Sequence, residues 1–177
     1  MSGDDVLLAR RQVILHGIII DDSTANVVVM KLLYLQNQDR HAPITLHIES
    51  PGGSVSAGLA IIDTIDQITP PVRTCCHGHV GSIATLIAAH GAKAERFAER
   101  GSRLSLSEPY VSGNAVAKPG ELEKTNRILA EFLANDTGRT LEDAARAMTC
   151  ELCLSATQAK EFGLIDAIGQ CPIALSE

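Results

Sequence analysis

Apolar residues in this chain arrive in two alternating rhythms. Short continuous runs, from Gln12 to His16, Ile44 to Ile48, Val72 to Cys76, Arg103 to Leu106 and Leu164 to Ile168, have the length of buried strands. Between them apolar positions recur every three or four residues. Asp21, Asp22 and Ser23 can cap a helix whose apolar positions Val27, Met30, Leu33 and Leu35 follow helical spacing. Further helices are predicted over Val55–Ile68, Ile83–Ala89 and about Gly120–Asn135. Pro70-Pro71 stops the first of these three, because proline lacks the N–H that would continue it. Thr140 with Asp143, and Ser155 with Gln158, form capping pairs for two later helices, and Gly163 ends the second. Apolar runs without alternation, separated by helices, predict an α/β fold with parallel strands covered on both faces. A length of 177 residues suits one core and a single domain spanning 1–177.

Two of the strand-to-helix junctions are rich in glycine: Ser50-Pro51-Gly52-Gly53 and Gly78-His79-Val80-Gly81-Ser82. A serine at such a junction presents its hydroxyl at the positive end of a helix with backbone N–H groups nearby. That geometry suits a nucleophile beside an oxyanion hole.

Composition narrows the partners. A net charge of −6 and a pI near 5.5 argue against a nucleic-acid or anionic-membrane surface. Aromatic residues for base stacking amount to 3%. The segment Met1–Arg11 is polar without a signal-peptide core, and no apolar stretch approaches the ~20 residues of a membrane span. A cytoplasmic protein with reduced thiols is therefore expected of its five cysteines. Cys150 and Cys153 form a CxxC pair, and Cys75 and Cys76 precede His77 and His79. A lone CxxC is a weak metal signal and cysteine often packs as a small apolar residue, so neither metal nor cofactor is expected.

Five segments, RRQVILHGIIIDD, ITLHIESPGGSVSAGLAIIDTI, CCHGHVGSIATLIAAHGAK, NDTGRTLEDAARA and LSATQAKEFGLIDAI, occur in an order and spacing that resemble the proteolytic subunit of the ATP-dependent Clp protease. The resemblance runs from about Asp5 to Ile168. It implies a ClpP/crotonase-like fold of repeated β-β-α units with a projecting handle helix, and seven-membered rings that enclose a chamber. It places Ser82 at the nucleophile and the N–H groups of Gly53 and Ile83 in the oxyanion hole. It also implies partners: further copies or paralogous subunits in the ring, a Clp ATPase unfoldase such as ClpX or ClpC, and peptide or protein substrates.

Two positions depart from that pattern. The family's histidine precedes Gln-Pro, and here the stretch reads Leu106-Ser107-Glu108-Pro109, so Ser107 stands in its place. Glu151 stands in place of the acidic member. A serine hydroxyl needs a base to accept its proton as it attacks, and a second hydroxyl is not one near neutral pH. An impaired subunit with a structural or regulatory role in the ring is therefore expected. The alternative is an active endopeptidase that uses Ser82 with a substitute base, His79 first. Lys93 and Lys118 are weaker candidates, in the manner of signal-peptide peptidases. His77 lies two residues further back, Glu108 should face away from its neighbour Ser107, and His16, His41, His47 and His90 show no partner pattern. An acyl-transfer or hydratase enzyme on the related crotonase fold lacks any recognisable feature for coenzyme A. The segment from Tyr110 to Asn135 is shorter than the family's usual handle and its loop, Ser112 to Pro119, is rich in glycine and asparagine. Exposed apolar residues on the handle helix, Leu122, Ile128, Leu129 and Phe132, predict an oligomer.

Overall fold

A computed structural model describes residues 3–17, 19–110, 118 and 120–171; most of the predicted 112–119 loop lies outside the described residues. In chain order the elements are α1 (Gly3–Ala9), β1 (Gln12–His16), α2 (Asp22–Gln38), β2 (Ile44–Ser50), α3 (Val55–Gln67), β3 (Val72–Gly81), α4 (Ile83–Ala89), β4 (Arg96–Ala98), β5 (Arg103–Ser105), α5 (Glu121–Thr137), α6 (Leu141–Thr149), β6 (Cys153–Ser155), α7 (Ala156–Phe162) and β7 (Ala167–Ile168). The predicted α/β class is what the chain adopts. The strands form one sheet in the order β1-β2-β3-β4-β7, all parallel. Off this path, β5 runs parallel to β3, and β6 runs antiparallel to β5.

Caps form where the sequence offers them. Asp21 accepts from the Thr24 N–H at 2.8 Å, and Thr140 and Ser155 accept from the Asp143 and Gln158 N–H groups. Ser155 and Gln158 close a reciprocal capping box. Gly138 and Gly163 take left-handed conformations that end α5 and α7.

The core gathers one face of the sheet, with Val13, Leu15, Leu46, Ile48 and Cys76, against helical residues such as Val28, Leu32, Ile61, Ile62 and Ile87. Register partners of a parallel pair face the same side, so Val13, Leu46 and Thr74 share this face while Ile14, His47 and Cys75 share the other. The second face is not uniformly covered. Ile14 and His16 are exposed, and His47, Glu49, Arg73 and His77 are half-buried. Coverage on both faces was therefore the wrong expectation for this side, which carries ionisable groups that stay near water.

Helix α2 corrects a second expectation. Its buried residues are Ala25, Val28, Leu32 and Leu35, whereas Val27, Met30 and Leu33 are exposed together with Tyr34. The helix is apolar on two sides, so helical spacing alone could not choose which side enters the core. On α5, Leu122 and Ile128 are exposed as expected, but Leu129 is buried and Phe132 is packed against the core, edge-on to His90. Two of the five cysteines also depart from the expectation of reduced thiols: Cys75 is joined to Cys171 by a disulfide, while Cys76, Cys150 and Cys153 are free. No helix among the described residues is long and apolar enough to cross a membrane.

Candidate active site

The glycine-rich segment before α4 is not one continuous turn. β3 runs on to Gly81, with a register shift against β2 between Ile48 and Ser50 that places extra residues around Gly78. This irregularity bends β3, so that after pairing with β4 through Cys76 it pairs with β5 from His79 to Gly81. The turn itself is confined to Ser82, which has φ 50° and ψ −126°. A side-chain-bearing residue pays steric strain in that conformation, and such strain collects at sites where a functional group must be held at a fixed angle. Ser82 makes no side-chain capping bond to α4. Its hydroxyl is left for another use.

The backbone around Ser82 is fixed from below. The Ser82 N–H donates to the Ser105 carbonyl at 2.9 Å, and the Thr85 hydroxyl donates to the carbonyls of Ser105 and Val80 at 2.8 and 3.0 Å. The Ser50–Gly53 turn lies directly over it. A Cβ on Gly52 would stand 2.8 Å from the Gly81 carbonyl oxygen and 2.9 Å from Ser82 Cβ. A Cβ on Gly53 would stand 2.2 Å from the Ile20 carbonyl oxygen. Only glycine lets these backbones approach so closely, and both residues use positive φ, 100° and 154°. Among the described residues the N–H groups of Gly53 and Ile83 donate to no carbonyl. Gly53 follows the glycine packed against Ser82, and Ile83 follows Ser82 in the chain.

The remaining two family positions lie next to the paired strands β5 and β6. β5 and β6 pair as Arg103 with Ser155, Leu104 with Leu154 and Ser105 with Cys153. The Leu106 N–H continues that ladder to the Leu152 carbonyl at 2.8 Å. Ser107 follows the end of β5, and Glu151 precedes β6 in a turn where its N–H donates to the Met148 carbonyl. Ser107 is half-buried and Glu151 is exposed, with a positive φ of 47°. Neither side chain hydrogen-bonds to a described residue. The Ser82 N–H bond to the Ser105 carbonyl ties the α4 turn to β5, and Ser107 lies two residues further along that chain.

The other candidates are engaged elsewhere. His79 Nε2 lies 3.0 Å from Ser105 Oγ. Lys93 donates to the Asp136 carbonyl; Lys118 is exposed, and its backbone N–H rather than its side chain donates to Glu121. Glu108 turns toward the helices, accepting from Asn126 at 3.1 Å and Thr149 at 2.6 Å. His90, which showed no partner pattern in the sequence, lies between Asp136 (2.9 Å) and Asp66 (3.0 Å). His16, His47 and His77 form a contiguous group across three strands. Glu49 holds His16 at 2.7 Å, Glu99 holds His77 at 3.0 Å, and His47 Nδ1 lies 2.9 Å from His77 Nε2. Burial, with the charges of His77 and His16 beside it, pushes His47 down to about 4. Sequence spacing could not show this group, because it depends on strand register. Among the described residues no set of three or more His, Cys, Asp or Glu side chains is placed to hold a metal ion.

The sequence matches the Clp protease family over residues 4–171. This chain belongs to the Clp protease family. The match spans every strand of the sheet and both glycine-rich segments, so the Ser82 turn and the Ser107 rim are features of one family domain rather than of an insertion.

Proposed function

We propose that this chain is a ClpP-like ring subunit whose peptidase site is impaired, and that its role is structural or regulatory within the assembly. Family membership supports a peptidase subunit in general. The observation that carries the finer reading is in the sequence: Ser107 stands where the family has its histidine, so that position offers Ser82 no imidazole. Loss of a triad histidine costs on the order of 10⁶ in rate, with ~10³–10⁴ over water surviving from binding and the oxyanion hole. The retained turn would still bind a peptide carbonyl. A subunit of this kind contributes wall and docking surface to a ring with active paralogues, and an ATPase unfoldase would dock on the assembly rather than on a single chain. By this reading the protein is cytoplasmic.

A second reading keeps Ser82 as an active nucleophile with His79 as base. The strained backbone of Ser82 and the two unengaged N–H groups favour it, since a turn without chemistry gains nothing from that strain.

Hydrolysis of a short fluorogenic peptide separates the two, because short peptides need no unfoldase. The impaired reading expects background turnover from the wild type and from Ser82→Ala alike, with turnover gained in Ser107→His. Wild-type turnover abolished by Ser82→Ala would overturn it in favour of the second reading.

A further inference from the structure

Among the described residues, the hydroxyl that has an imidazole within hydrogen-bond distance is that of Ser105, not Ser82. We propose that Ser105, with His79 as its base, is a second reactive hydroxyl of this protein, which accepts acyl and phosphonyl groups from small activated electrophiles.

His79 Nε2 and Ser105 Oγ are 3.0 Å apart on neighbouring parallel strands. The strand register explains why they meet. Gly81 pairs with Ser105, and His79 lies two residues before Gly81 on the same face of β3. Gly81 has no side chain to intervene: a Cβ there would stand 3.1 Å from Ser105 Oγ. On β5 the alternation is equally clear, with Leu104 and Leu106 buried and Ser105 and Ser107 half-buried on the opposite face. Ser105 therefore shares its face with the family's histidine position.

Both members stand on strands that pair with each other, His79 just past the irregularity in β3 and Ser105 at the end of β5. The Ser105 carbonyl receives the Ser82 N–H and the Thr85 hydroxyl, and its neighbours pair with Leu154 and Leu152. Positional precision of this kind is what a nucleophile and its base need. His79 is exposed and makes no further hydrogen bond to a described residue, so a proton taken from Ser105 has a route to water.

The step is a simple displacement. Ser105 Oγ forms a bond to the carbonyl carbon of an activated ester, its proton passes to His79 Nε2, the ester C–O bond breaks, and the departing alkoxide takes the proton back from the imidazolium. With an alkyl fluorophosphonate the new bond is to phosphorus, fluoride leaves, and the proton goes to solvent. The oxyanion donors of the site flank Ser82 rather than Ser105, so a stable adduct is expected rather than rapid turnover.

The test is labelling of the full chain with an alkyl fluorophosphonate, with the modified serine read by peptide mass spectrometry. The expected adduct is on Ser105, in the wild type and in Ser82→Ala. It is absent in Ser105→Ala and forms at least tenfold more slowly in His79→Gln, as for removal of a general base worth ~10²–10⁴. Thermal unfolding of each variant establishes that the fold is kept. A pH–rate profile whose ascending limb disappears in His79→Gln would separate base catalysis from a packing role. An adduct on Ser82 alone, no adduct, or a Ser105 adduct indifferent to His79 would each overturn the proposal. These readings do not depend on peptide hydrolysis, so the ring-subunit reading stands or falls separately.

Discussion

Polar residues serve opposite ends in two regions of this molecule. Around Asp136, at the end of α5, every polar group is answered. Arg96, buried on β4, grips Asp166 through two bonds of 2.6 and 2.8 Å and donates to the carbonyls of Ala89 and Asp136. His90 joins Asp136 to Asp66, and Lys93 closes on the Asp136 carbonyl. At the rim, the side chains of Ser107 and Glu151 hydrogen-bond to no described residue. The first region is a structural joint of α3, α4, β4, α5 and the chain leading to β7, and a change there leaves a buried charge uncompensated. The rim lies past the last ladder pair and half in water, where a substitution costs the fold little. Chemistry can be lost at the rim without loss of the protein, and the pair Ser107 and Glu151 is consistent with that freedom.

The contrast can be broken most forcefully at Arg96. Replacement by leucine removes the guanidinium from Asp166, which keeps the backbone N–H of residue 96, and leaves the Ala89 carbonyl without a side-chain donor. Breaking a buried pair in this way costs about 3–5 kcal/mol. Denaturant unfolding of Arg96→Leu should show that loss; a change below about 1 kcal/mol would mean the joint is dispensable and the contrast false.

His90 is the next largest, and it titrates. Burial lowers its pKa, but hydrogen bonds and charge from Asp136 and then Asp66 outweigh that, and the net direction is upward. The unfolded imidazole titrates near ~6.5. The folded protein therefore holds an extra proton above that value, and the stabilisation is complete below pH ~6.5 and is lost as pH rises through the raised folded pKa. His47 has the opposite sign. Its folded pKa is depressed to about 4, so stability is lost as pH falls from ~6.5 toward that value. Unfolding free energies measured across this range should fall on both sides, with His90→Ala removing the alkaline limb and His47→Gln the acid limb. An alkaline limb unchanged in His90→Ala would refute the joint's electrostatic character.

How far the sequence could be read follows the same division. The strands Gln12–His16 and Val72–Cys76, the caps at Asp21, Thr140 and Ser155, and the stops at Gly163 and Pro70-Pro71 depend on near neighbours, and all were legible. So was the Ser82 turn, because a serine after Gly-x-Val-Gly between strand and helix has few other uses. The side of α2 that enters the core was not legible, since Val27, Met30 and Leu33 are as apolar as Val28 and Leu32. Nor was the joint: Arg96 and Asp166 are 70 residues apart, and His90 and Asp136 are 46 apart. The pairing of His79 with Ser105 escaped for a related reason. It depends on β3 continuing past Gly78, whereas the glycines read as the end of the strand.

At the turn itself the strain at Ser82 gives an effect of intermediate size. Glycine reaches φ 50° without steric cost, so Ser82→Gly should stabilise the protein by about 1 kcal/mol, whereas Ser82→Ala keeps the strain and should be nearly neutral. Melting temperatures of the two variants check this. Equal values would show that the backbone at Ser82 is relaxed, and the argument that the turn is kept for chemistry would lose its basis.

The smallest expected effect is the most informative about the rim. Ser107 is half-buried and unpartnered among the described residues, so Ser107→Ala should change stability by no more than about 0.5 kcal/mol. Ser107→His should be tolerated equally well, because the position is half-buried and lies past the last ladder pair of β5 and β6. If both variants unfold with the wild type, the rim is free to carry or to lose an imidazole at no cost to the fold. If Ser107→Ala instead costs more than about 1 kcal/mol, the serine has a structural task of its own. Ser107 would then belong with Asp136 and Arg96, and the division between joint and rim would fail.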